Sequence, residues 1–296
     1  MHPNAPVGIV GLGLMGIALS ERLIEATHPV LGFDIDPARR DALKAVGGTT
    51  ATSVRELTGR SRTIVIAVYS GEQAEAVFDE LAMGVGSAAP VAICTTTCAP
   101  DEILRVAAQA AGANIPFVEA PISGTSAEVR EGSAIALVAG ETGTVEAAGA
   151  VLDILCPRRM RVGAIGDASR TKLAINLILQ NNRAALAEGI VFAEHLGLDG
   201  RSFLAAARES AAYSRVMDGK GEKMLARDFR PQSHISQTLK DAELILEEAR
   251  RRDLRLPMTL TQAELLRTAI ARVGPDSDSA AVIEAIRRPA SSEVSR

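Results

Sequence analysis

Residues 11 to 16 read Gly11-Leu12-Gly13-Leu14-Met15-Gly16, a GxGxxG spacing. An apolar run, Val7–Val10, precedes it and a helix-forming run follows, which is the context in which the pattern holds a dinucleotide. Gly11 permits the tight turn, Gly13 lets the backbone approach a pyrophosphate, and Gly16 lets the helix pack on its strand. The helix would turn its free N–H groups and positive dipole end toward the phosphates. A second apolar run, Val30–Phe33, ends in Asp34, 18 residues after Gly16. A carboxylate there accepts both ribose hydroxyls and repels a 2′-phosphate, so the expected cofactor is NAD in preference to NADP. Arg39 and Arg40 lie near enough to complicate that preference. Asp36, just before Pro37, is the better candidate to cap the next helix.

Proton transfer needs a group that can give up or take a proton. Lys plus Arg total 32, but only Lys44, Lys172, Lys220, Lys223 and Lys240 are lysines. Arginine keeps its proton, so a basic acid–base catalyst must be one of these five lysines or the four histidines. Lys172 stands in the first turns of an otherwise apolar helix, and Asn176, four residues on, shares its face. A free lysine has a pKa of about 10.4 and needs burial or a nearby cation to act as a base near neutrality. A salt bridge is the plainer use of such a lysine. Ser123-Gly124-Thr125 follows an apolar run and offers backbone N–H groups and hydroxyls, which suits a carboxylate or an ordinary turn. A Tyr-x-x-x-Lys pair is excluded, because Gln73 and Met217 stand four residues after Tyr69 and Tyr213. No metal is expected: His2, His28, His195 and His234 lack ligand spacing, and Cys94 and Cys98 close a strand.

These residues need a scaffold. Expected strands are Val7–Val10, Pro29–Phe33, Thr63–Tyr69, Val91–Thr95, Pro116–Glu119, Ala134–Val138 and Arg161–Ile165, with helical stretches such as Ala18–Ala26 and Pro37–Val46 between them. Such alternation, with fully apolar strands, implies a mainly parallel sheet covered on both faces. Beyond Gly166 the pattern is helical: one long helix, Ser169–His195, then Arg201–Ala212, Gln232–Asp253, Met258–Val273 and Asp278–Arg287. The tail Pro289–Arg296 reads as frayed. An α/β domain therefore precedes an all-helical one, with the boundary near Ile165.

The composition sets limits. Aromatic residues are 3% of the chain, with no Trp, which leaves little for base-stacking platforms. The net charge of -4 argues against nucleic acid and membrane surfaces as partners. No apolar run approaches the roughly 20 residues of a spanning helix. Three cysteines without a CxxC pair fit a reducing compartment, and the N-terminus shows no signal-peptide pattern, so a cytoplasmic location is expected.

Four blocks, in order, resemble the β-hydroxyacid dehydrogenase (3-hydroxyisobutyrate dehydrogenase-like) family. They are Gly11–Gly16 with Asp34; Cys94-Thr95-Thr96-Thr97-Cys98-Ala99-Pro100; Glu119-Ala120-Pro121-Ile122-Ser123-Gly124-Thr125; and Gly163-Ala164-Ile165-Gly166 followed by Lys172 and Asn176. Lys240-Asp241 is similar to a later family motif. The resemblance implies a Rossmann-type NAD-binding domain, residues 1–165, joined by a long helix to a helical substrate and oligomerisation domain, residues 166–296. It implies hydride transfer between a nicotinamide cofactor and a small 3-hydroxy acid, or the matching semialdehyde, with the site in a cleft. Lys172 would be the general acid/base and Asn176 its catalytic companion. Ser123, Gly124, Thr125, Lys240 and His234 would bind a small carboxylate-bearing substrate. Leu12, Leu14, Met15, Val68, Tyr69, Thr97 and Lys240 would join the three glycines and Asp34 around the cofactor. A homodimer or homotetramer is implied. Ser233 stands where the family often has Phe, which makes one pocket wall more polar. With Thr125 in place of the usual Gly, and Ser126 after it, this suggests a more hydrophilic substrate than 3-hydroxyisobutyrate, while Ile175 in place of a frequent Asn removes one polar contact. Two rival readings remain: a non-catalytic NAD-binding sensor or scaffold, and an imine reductase-like enzyme, which usually replaces the lysine.

Overall fold

The computed structural model describes residues 5–86 and 88–287. The chain divides into two compact units within one helix, between Lys172 and Leu173.

The first unit alternates strand and helix. Its elements are β1 (Val7–Val10), α1 (Leu14–Glu25), β2 (Val30–Phe33), α2 (Pro37–Ala45), β3 (Thr49–Thr50), α3 (Val54–Arg60), β4 (Thr63–Ile66), α4 (Gly71–Gly84), β5 (Val91–Cys94), α5 (Pro100–Gly112), β6 (Phe117–Glu119), β7 (Ile122–Ser123), α6 (Ser126–Arg130), β8 (Ile135–Ala139), α7 (Thr142–Ala147), α8 (Gly149–Leu155) and β9 (Arg158–Gly163). One sheet runs β3-β2-β1-β4-β5-β6-β8-β7, with β9 paired to β8. β1 to β6 pair in parallel. β8 runs antiparallel to β6 and β7 and parallel to β9. Successive residues of β4 serve opposite faces: Val65 packs with Leu19, Leu23 and Leu152, whereas Ile64 and Ile66 pack with Leu57, Phe78 and Ile103. A strand buried on both faces must be apolar throughout, which is why these runs carry no polar alternation.

The expected α/β organisation is present, with local differences. The run expected as Thr63–Tyr69 leaves the sheet at Ile66, so Val68 and Tyr69 lie in the following loop; Ser70 then caps α4 by accepting from the Gln73 N–H. β9 starts at Arg158, three residues before the expected Arg161. Its Arg158-Arg159-Met160-Arg161 run is exposed, so it has no apolar signature. A sheet edge tolerates, and often uses, such charges.

The second unit is helical. α9 (Asp167–His195) crosses the unit boundary and is followed by α10 (Gly200–Arg208), α11 (Val216–Ala226), α12 (Ile235–Arg251), α13 (Pro257–Val273), a 3-10 turn at Ser279–Val282 and α14 (Ile283–Ile286). α10 stops short of the expected Ala212 because Ser210 turns the chain, its hydroxyl bonding the Ala207 carbonyl and accepting from the Ala212 N–H. α11 is not apparent in the sequence, since Gly219 and Gly221 each cost a helix about 1 kcal/mol relative to Ala. At Gly221 a Cβ would come within 2.7 Å of the Leu204 side chain, which would have to shift to admit it. Leu186, Ile190, Leu204, Ile235 and Leu266 centre this unit's core. The segment Asp278–Arg287, expected as one helix, is the 3-10 turn and α14. The tail beyond Arg287 lies outside the described residues.

Candidate active site

In the first unit the loops that follow β1, β4, β5 and β6 all leave the C-terminal edge of the parallel strands. Ligands of open α/β sheets bind at that edge. Gly11 has φ +89°, and a Cβ there would stand 2.5 Å from the Ala67 carbonyl oxygen. At Gly16 a Cβ would meet the Gly11 carbonyl oxygen at 1.9 Å, so helix and strand could not pack. Gly13 differs. The nearest atom to its missing Cβ is Arg39 Nη1 at 3.9 Å. Nothing within the protein requires glycine there, whereas a pyrophosphate drawn against the backbone would. Gly13 is also the N-cap of α1, with no side-chain cap and no acidic residue in the first turn. The cradle therefore fits a dinucleotide. Leu12 is buried; Leu14 and Met15 open α1.

Asp34 is buried at the end of β2. Its Oδ2 accepts from the Leu12 N–H at 2.7 Å, and its Oδ1 from the Asp36 N–H at 2.9 Å. It thus ties the glycine loop to the second strand, while Asp36 caps α2 by accepting from the Ala38 N–H. Arg39 Nη1 lies 3.5 Å from Asp34 Oδ2, and Arg40 donates to the Asp34 carbonyl. Thr97 is buried in the loop after β5. Tyr69 is exposed, with its N–H donated to Gln73 Oε1 at 2.9 Å.

Glu119 is the residue the sequence reading missed. It ends β6, is fully buried, and accepts from the Gly166 N–H at 2.6 Å and the Ser169 N–H at 2.5 Å. Those groups are orphan donors at the start of α9. Burial raises the Glu119 pKa above its ordinary value; the Ser169 and Gly166 contacts oppose that rise. The carboxylate fastens the start of α9 to the edge where the glycine loop lies. Gly163 and Gly166, both at positive φ, make the turn from β9 into the helix. Lys172 follows in the second turn and is buried.

The substrate-loop candidates behave unequally. Ser123 pairs with Ile135 across β7 and β8. Gly124 has φ +154°, where a Cβ would sit 2.8 Å from that of Ala134. Thr125 caps α6: its hydroxyl accepts from the Glu128 N–H, and its own N–H donates to Glu128 Oε2 at 2.8 Å. Those two groups are already committed.

Within the second unit, Asn176 is buried on α9 and donates from Nδ2 to Asp241 Oδ2 at 2.8 Å. Its Oδ1 has no hydrogen-bond partner in the protein. Asp241 thus fixes the amide and leaves an acceptor unoccupied. Lys240 pairs with Asp241 at 3.0 Å, and Glu243 and Glu247 pair with Arg267 and Arg250. His234 is the N-cap of α12, and its Nδ1 bonds the Asp276 carbonyl at 2.9 Å. Ser233, expected to make one pocket wall polar, shares its hydroxyl with Ser279 at 2.8 Å. Among the described residues no group of three or more His, Cys, Asp or Glu could hold a metal. Likewise, no described helix is long and apolar enough to cross a membrane.

Comparison with known proteins identifies the family. Residues 6–163 match the NAD binding domain of 6-phosphogluconate dehydrogenase, and residues 166–286 match a family described as NAD-binding of NADP-dependent 3-hydroxyisobutyrate dehydrogenase. The 2-hydroxy-3-oxopropionate reductase of Escherichia coli is 30% identical over 282 residues, covering 95% of this chain and 96% of that one. A 3-hydroxyisobutyrate dehydrogenase structure from Salmonella typhimurium superposes with a TM-score of 0.85 at 25% identity, over 94% of this chain and 98% of that one. The structure of Psf3 in complex with NADP+ and 2-OPP gives 0.85 at 25%, over 95% and 100%. The chain belongs to the β-hydroxyacid dehydrogenase family. It is an NAD(P)-dependent oxidoreductase acting on the CH–OH group of small hydroxy acids.

Proposed function

We propose that Lys172 is the general acid/base of this dehydrogenase and Asn176 its hydrogen-bonding companion at the substrate hydroxyl. The observation that supports the reading is Glu119 at the end of β6, whose carboxylate holds the Gly166 and Ser169 N–H groups, the latter three residues before Lys172. The nicotinamide, when bound, supplies the hydride acceptor or donor. In oxidation Lys172 takes the hydroxyl proton; in reduction it returns it to the carbonyl oxygen. Asn176, held by Asp241, turns its unused Oδ1 to the substrate hydroxyl. Ser123 and Gly124 receive the substrate carboxylate, with Thr125 shaping the loop through its cap. Lys240 adds positive charge near cofactor and substrate, and His234 closes the substrate side.

The nucleotide is held by Gly11–Gly16, Asp34, Val68, Tyr69 and Thr97, with NAD preferred to NADP because the Asp34 carboxylate would repel a 2′-phosphate. Residues 1–165 serve as the nucleotide domain, and residues 166–296 as the substrate and oligomerisation domain. The protein works in the cytoplasm as a homodimer or homotetramer; its three cysteines are free thiols, which suits a reducing compartment. The substrate is a polar 3-hydroxy acid or the matching semialdehyde, with tartronate semialdehyde, glycerate and threonate-like acids ahead of 3-hydroxyisobutyrate.

The test is a panel of these compounds run in both directions with NAD(H) and NADP(H), following absorbance of the reduced cofactor. At least one compound should turn over, and Lys172→Ala should lower kcat by about 10²-fold or more. No turnover by any compound, or a Lys172→Ala enzyme as fast as wild type, would end this reading.

A further inference from the structure

A buried polar stripe runs along α9 beyond Asn176. Asn176, Gln180 and Arg183 are spaced by four and three residues, so they share one face of the helix. Arg183 is only 6% exposed. Around the stripe lie Thr238 and Asp241 of α12, with Lys220 of α11 and Asp278 nearby, all buried.

The hydrogen bonds in this cluster do not close. Gln180 donates from Nε2 to the Thr238 carbonyl at 3.2 Å, leaving its Oε1 unpaired. Arg183 has no hydrogen-bond partner at Nε or Nη1. The charges do not close either. Lys220 takes both oxygens of Asp278, at 2.7 and 2.9 Å. Lys240 lies against one oxygen of Asp241, and Asn176 donates to the other. Three cations therefore face two carboxylates. Arg183 is the surplus cation: Asp278 and Asp241 act on it through space, and it hydrogen-bonds to neither. Burial pushes its pKa down to about 10, which leaves it charged at neutral pH.

A buried charge is usually paired or bound to something that completes its contacts. Long side chains on a helix point back toward its N-terminus. Arg183 stands seven residues after Asn176, roughly 10 Å along the helix, and a long side chain leaning that way shortens the span to the Asn176 level. We propose that Arg183, with Gln180 beside it, is a second carboxylate-binding position, and that the enzyme acts on a 3-hydroxy dicarboxylate or its semialdehyde. This deepens the reading of Asn176 as a substrate contact and rests on it. One surplus positive charge matches one carboxylate. A phosphate, at about -1.5 to -2, would exceed it beside Asp241 and Asp278.

Two measurements test this on the full-length protein with NAD bound. In the first, calorimetric titration compares glutarate, an unreactive dicarboxylate, with butyrate. Wild type should bind glutarate at least 10-fold more tightly, Arg183→Met should abolish the difference, and Arg183→Lys should restore part of it. In the second, kcat/KM for 3-hydroxyglutarate over that for 3-hydroxybutyrate should exceed 10 and fall at least 10-fold in Arg183→Met. Equal binding of glutarate and butyrate by wild type, which needs no variant to fold, overturns the proposal, since a seam filled by water alone gives that result. A kinetic ratio unmoved by Arg183→Met overturns it as well. Turnover of 3-hydroxybutyrate without dicarboxylate preference rejects the Arg183 position and keeps Lys172 chemistry. Arg183-dependent glutarate binding without turnover of any hydroxy acid does the reverse.

Discussion

Asp34 has a duty in the fold beside its proposed part in the choice of cofactor. Its carboxylate is already bonded to the Leu12 and Asp36 N–H groups, so its orientation is set without a cofactor. Hydrogen bonds to charged groups are worth about 1.5–3 kcal/mol. Asp34→Ala should therefore raise the KM for NAD by roughly 10-fold or more, while NADP, relieved of the carboxylate, loses less. Steady-state KM values for both cofactors check this, and a preference that stays the same would remove Asp34 from the choice. The glycines and Asp34 were legible because each reports a backbone demand or a strand end. Arg183 was not. In sequence it reads as a solvated arginine, and only its burial beside Asp241 and Asp278 gives it meaning.

At the level of elements, α9 matters most. Its length and apolar positions were legible, as was the Gly163–Gly166 turn before it. What holds its start was not, since Glu119 ends an apolar strand and shows no local pattern that aims it at residues 166 and 169. Removing that carboxylate strands two buried N–H groups, at about 1–3 kcal/mol each. Glu119→Ala should shift the urea midpoint clearly downward. Kcat should fall even where the protein remains folded, because Lys172 rides on the loosened turn. A variant with wild-type midpoint and kcat would show that α9 is anchored elsewhere. The start of β9 and the whole of α11 were not legible, for opposite reasons. An edge strand carries too much charge to look like a strand, and α11 carries too much glycine to look like a helix.

At the level of the whole molecule, composition and alternation were enough to read an α/β half followed by a helical half. They could not foresee that β8 reverses direction, since that depends on the two-residue strand β7. The proposed homo-oligomer is a property of this scale too. Sedimentation equilibrium should give two or four times the 31.0 kDa chain mass, and a single-chain mass across micromolar concentrations would refute it.

β9 also bears on how such copies can meet. Among the described residues it pairs only with β8, and Arg158, Arg159 and Arg161 line it. Two such borders brought together would set like charges opposite one another. The sheet therefore cannot readily extend from one molecule into the next there, and this border of the nucleotide-binding half is guarded against fibril-like stacking when the protein is crowded or partly unfolded.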